Sequence, residues 1–102
     1  MARLEQLQKM LTTDPEDPFL NFALAMEYVK VGRPDDALNQ FNRVIELDRK
    51  YVPAYFQKAN LLVSLGRHDE AKSVFSEALT VAEQAGDKHA AAEIREALAL
   101  LG

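Results

Sequence analysis

The 102-residue sequence contains no cysteine and no tryptophan, and only four glycines and four prolines. Without cysteine there is no disulfide, no thiolate zinc site and no thiol nucleophile, so packing alone must hold the fold. The few glycines are scattered, and none forms the glycine-rich loop that cradles a phosphate. Basic residues are also short: 12 Lys and Arg stand against 16 Asp and Glu, a formal charge of −4, with the signs intermixed along the chain. That balance makes nucleic acid and anionic membrane poor partners. No stretch approaches the roughly 20 apolar residues of a membrane-spanning helix. The amphipathic start, MARLEQLQKML, lacks the continuous apolar centre of a signal peptide. The expected setting is the cytoplasm.

What the sequence does have is itself twice. VGRPDDALNQFNRVI, from Val31 to Ile45, overlies LGRHDEAKSVFSEAL, from Leu65 to Leu79, with Gly32 on Gly66, Arg33 on Arg67, Asp35 on Asp69, Ala37 on Ala71 and Phe41 on Phe75. Each pair is separated by 34 residues, and the register extends outward to Phe22 with Phe56 and Ala25 with Ala59. Inside each unit the apolar residues follow helical spacing, as in Leu24, Tyr28 and Val31, then Ala37, Leu38, Phe41, Val44 and Ile45. Two helices per unit follow. Gly32 and Gly66 end the first, because glycine adopts the left-handed conformation that closes a helix. Acidic pairs, Asp35/Asp36 and Asp69/Glu70, open the second, at the positive end of its dipole. Pro18 and Pro53 suit a first turn, where the missing amide proton costs little.

One such hairpin cannot bury both of its apolar faces, so half-units are expected at the ends. Met1 to Thr13 fits as a leading helix with the stripe Leu4, Leu7, Met10 and Leu11. Asp87 is the candidate N-cap of a closing helix whose Ile94, Ala97, Leu98 and Leu101 form an i, i+3, i+4, i+7 stripe. Here the register slips, since Gly66 and Gly102 are 36 residues apart. The spacing predicts an all-α chain of six antiparallel helices, at about 2–12, 18–31, 35–48, 53–65, 69–85 and 88–101.

A 34-residue helix-turn-helix period resembles the tetratricopeptide repeat family. The family's small residues match Ala25, Ala37, Ala59, Ala71 and Ala78, its turn glycine matches Gly32 and Gly66, and its aromatic matches Phe41 and Phe75. Asp14-Pro15 matches its closing dipeptide. Departures are Asn21 and Tyr55 where tryptophan is common, Val44 where a small residue is usual, and Lys58 at an ordinarily apolar place. The resemblance implies a right-handed α-α superhelix in one domain: a leading half-repeat at 1–15, repeats at 18–51 and 52–85, and a capping helix at 87–102.

Catalytic chemistry finds little footing. Ser64, Ser73 and Ser76 have no histidine at an activating spacing, and His68 beside Asp69 and Glu70 reads as a helix-start charge cluster. His89 and Glu93, one turn apart, offer two metal ligands without a visible third, so a solvated helix face is the better reading. No enzyme, cofactor or metal site is expected. The resemblance implies instead a module that binds a segment of another protein in a concave groove lined by first helices. In this sequence that groove comprises Phe19, Phe22, Met26 and Val29, then Phe56, Gln57 and Asn60. Aromatics there are expected to anchor a partner without contributing to the core. The carboxylate clamp of the family's chaperone-binding members is not matched, because Phe22, Met26 and Gln57 occupy its places. The alternative is a structural module, self-associating through its terminal helices or belonging to a longer array, with Leu100 off the closing stripe as the feature favouring it.

Overall fold

The computed structural model describes residues 2–102, and its regular structure is six α-helices: α1 (Arg3–Thr13), α2 (Pro18–Lys30), α3 (Pro34–Leu47), α4 (Val52–Ser64), α5 (His68–Gln84) and α6 (Lys88–Leu101). Every boundary lies within one residue of the sequence expectation, and no strand occurs among the described residues. The helices form two compact units, residues 1–49 and 50–102.

In the first unit α2 packs against α1 on one side and α3 on the other. Asp17 caps α2, its Oδ1 accepting from the amides of Phe19 at 2.8 Å and Leu20 at 3.2 Å, and Pro18 occupies the first turn. At the other end Gly32 takes φ +79°, and the Arg33 amide reaches back to the Tyr28 carbonyl at 2.9 Å. That bond satisfies a carbonyl the helix end would otherwise leave unpaired. Ala25 and Ala37 are fully buried where α2 and α3 approach, and Phe41 fills the remaining space with no exposure. The leading stripe holds in part: Leu7 is buried, Leu4 and Leu11 are half-buried, and Met10 is exposed.

Asn21 departs from the pattern most instructively. It is the one buried polar side chain among the described residues. Its amide donates to the carbonyls of Asp17 at 2.8 Å and Pro15 at 3.1 Å, and its Oδ1 accepts from Gln40 at 2.6 Å. One residue thus ties the α1–α2 loop, α2 and α3 together, and its hydrogen bonds offset the desolvation of a buried amide. Tyr28 adds a second link: its hydroxyl accepts from Gln8 of α1 at 3.3 Å, and the Arg33 guanidinium stands 4.8 Å from its ring centre.

The second unit repeats the device. Gly66 takes φ +76°, the Arg67 amide reaches the Leu62 carbonyl at 2.9 Å, and Arg67 pairs with Glu70 at 2.6 Å as Arg33 pairs with Asp36 at 2.7 Å. The Arg67 hydrogen bond, helped by the charges of Arg67 and Lys58, holds the Glu70 carboxyl below its ordinary range. Ala59, Ala71 and Ala78 are fully buried, with Phe75 between the helices. α6 then covers α5, burying Ile94 and Ala91 completely or nearly so and half-burying Ala97, Leu98 and Leu101, while Leu100 is 84% exposed.

Candidate functional site

α2 is apolar nearly all round, with Glu27 and Lys30 its only charges. Its inward side is occupied by Asn21, Leu24, Ala25 and Tyr28, all buried. The outward remainder is Phe19, Phe22, Met26 and Val29, a stripe spaced by three, four and three residues, as one face of a helix requires. Phe19 is 67% exposed and Val29 is exposed, whereas Phe22 and Met26 are half-buried. The Phe22 ring lies 6.0 Å from that of Phe41, inclined at 54°. Part of this half-buried ring therefore belongs to the hairpin core. This corrects the expectation that the ring stands clear of the core.

Phe56 does the same in the second unit, its ring 5.6 Å from Phe75 in an edge-on arrangement at 69°. Beside it the surface becomes a true concavity. A pocket of about 250 Å³ opens between the first turns of α4 and α6, with Val52, Pro53, Phe56 and Gln57 on the α4 side. On the other side stand Asp87, His89, Ala90 and Glu93. Asp87 Oδ1 accepts from the Ala90 amide at 3.0 Å, so it caps α6 and fixes where that wall begins. His89 Nε2 and Glu93 Oε1, one turn apart, meet at 2.5 Å with His89 almost wholly in solvent. The Gln57 amide has no hydrogen-bond partner among the described residues and can both donate and accept. Asn60 is exposed one turn further along α4, outside the pocket lining.

Phe56 and Gln57 are therefore brought together by the fold, but with companions that sequence reasoning set aside. His89 and Glu93 read as a solvated pair and Asp87 as a cap alone. The signal existed in the 36-residue slip: carried forward by that distance, Pro53 and Gln57 fall on His89 and Glu93. A second concavity of about 400 Å³ is lined by Glu83, Gly86, Asp87, Lys88, Ala91 and Arg95. Its Arg95 is already paired with Glu83 at 2.8 Å. Among the described residues no group of three metal-ligating side chains forms, and no helix is long and apolar enough to cross a membrane.

Residues 1–101 match the family model described as tetratricopeptide repeat. The chain belongs to this family. A tetratricopeptide repeat domain protein from Salinibacter ruber is 32% identical, with a TM-score of 0.81 over 85% of this chain and 88% of that one. An uncharacterised protein of Methanocaldococcus jannaschii is 45% identical over 56 residues, 52% of this chain. The match spans 65% of that protein's length and far less of the DnaJ-type relatives that also match. The fold alone is shared with the Yersinia enterocolitica type III secretion chaperone SycD, solved in complex with a peptide of the translocator YopD. That chain is 20% identical, with a TM-score of 0.85 over 96% of this chain and 76% of that one. The tetratricopeptide repeat accounts for the buried alanines and turn glycines.

Proposed function

We propose that this tetratricopeptide repeat protein is a cytoplasmic adaptor that holds an apolar or amphipathic segment of another protein by non-covalent contact, and performs no catalysis. The observation that carries the reading is the α4–α6 pocket, where a half-exposed aromatic ring adjoins a side-chain amide with no partner among the described residues. An apolar anchor beside a free hydrogen-bonding group suits a peptide, whose side chains need the first and whose backbone needs the second. The α2 stripe of Phe19, Phe22, Met26 and Val29 offers a second apolar face, and methionine adapts to differently shaped partners. The peptide bound to the SycD chaperone supports the reading by analogy of fold.

The test uses residues that do not hold the fold. Phe19 is 67% exposed, and the Gln57 side chain has no partner among the described residues, so Phe19→Ser and Gln57→Ala should leave the melting temperature in place. Partner capture from the source cell should fall by about tenfold or more for the double variant if each contact is worth about 1 kcal/mol. Undiminished capture overturns the adaptor reading. The structural-module reading is favoured by one observation, the 84% exposure of Leu100. Its self-associating form requires a dimer or larger in sedimentation equilibrium, converted to monomer by Leu100→Lys.

A further inference from the structure

We infer that the α4–α6 pocket seats a cationic side chain, lysine or arginine, flanked by apolar residues on the bound segment; this rests on the adaptor reading and adds the charge of the ligand. The α4 wall, Val52, Pro53 and Phe56, is uncharged and apolar, a surface suited to the methylene stem of a long basic side chain. The Phe56 ring also offers a cation its negative face. The α6 wall is acidic. Among the described residues the Asp87 carboxylate engages only the Ala90 amide, and Glu93 engages only His89. With His89 neutral the wall carries two negative charges, and with His89 protonated a net negative charge remains. The basic residues of α6 lie on the other side of Asp87: Arg95 is paired with Glu83, and Arg95 and Lys88 line the adjoining concavity that shares Asp87, so neither lines the pocket beside Phe56. A carboxylate entering here would meet two others with no lysine or arginine in the lining, whereas a guanidinium or ammonium would gain charge-assisted hydrogen bonds. The Gln57 amide at the edge is left for the peptide backbone.

The experiment is an amide-shift titration of the whole isotope-labelled chain with three acetylated, amidated peptides of the form alanine-leucine-X-leucine-alanine, where X is arginine, citrulline or glutamate. Citrulline keeps the shape of arginine and removes its charge. The arginine peptide should shift the amides of Phe56, Gln57, Ala90 and Glu93, the citrulline peptide should bind about tenfold more weakly, and added salt should narrow the gap. Glu93→Gln should weaken the arginine peptide toward the citrulline level, the remaining attraction coming from Asp87. His89→Ala should bind it at least as well as the parent, since it frees the Glu93 carboxylate. Asp87 stays untouched because it caps α6. Circular dichroism of both variants checks that helix content is unchanged. Equal binding of arginine and citrulline peptides at the pocket would overturn the charge inference and leave the adaptor reading standing, as would preference for the glutamate peptide. Failure of all three to shift either the pocket or the α2 stripe would remove both.

Discussion

Replacing Phe56 with alanine tests whether the groove and the core are separate. Phe56 is half-buried, and its ring meets the buried Phe75 ring at 5.6 Å, so truncation removes a hairpin contact as well as a binding surface. Fully buried phenylalanine costs about 3–5 kcal/mol on truncation to alanine. Half that burial suggests a loss of about 2 kcal/mol, of which the edge-on ring pair supplies about 0.5–1.5. For a chain of this size each kcal/mol moves the melting temperature by about 4–8 °C, so a drop of about 8–16 °C is expected. Phe56→Leu keeps most of the apolar area and loses the ring pair, and should fall between parent and alanine variant. Thermal unfolding followed by far-UV circular dichroism reads both. If Phe56→Ala melts with the parent, the ring contributes nothing to the hairpin and the reasoning fails. Binding comparisons on this variant belong at a temperature where both proteins are fully folded.

Asn21→Ala should destabilise the first unit by about 1–3 kcal/mol in urea unfolding, because three hydrogen bonds go and Gln40 loses its acceptor. A stability equal to the parent would refute the network's role. Ending the chain after Gly86 removes α6 and uncovers the surface against Ile94, a fully buried side chain worth about 1.5–3 kcal/mol by itself. Against a total of about 5–15 kcal/mol, the shortened protein should melt far lower or aggregate, and an unchanged melting temperature would show α6 to be dispensable. The carboxyl of Glu70 is depressed by Arg67, so the stability it lends is present above its unfolded pKa and fades as pH falls through the folded one. A carboxyl-detected NMR titration should give Glu70 a lower midpoint than the same residue in the Arg67→Gln variant, and coincident midpoints would remove the hydrogen bond as the cause.

The sequence by itself determined where helices start and stop. Those boundaries depend on residues a few positions apart: Asp17 and Pro18 at one helix start, Gly32 and Gly66 at the ends, the acidic pairs that follow. Short-range steric and dipolar effects set them, and the 34-residue echo states them twice. The buried alanines were legible for the same reason, since helical spacing alone puts Ala25, Ala59 and Ala71 on inward faces. Asn21 was not. A polar residue at an inward position is burdened or satisfied according to whether Gln40 and the carbonyls of Pro15 and Asp17 converge on it, and only packing brings them there. Phe22 and Phe56 were half legible: spacing put them on the outward side, but their ring contacts with Phe41 and Phe75 arise only once each helix pair has packed. The pocket beside Phe56 was decided by tertiary structure alone. Its acidic wall lies more than 30 residues along the chain from its apolar one, behind a change of register, and the two become one site because α6 docks on α5 beside α4 with Asp87, His89 and Glu93 facing the ring.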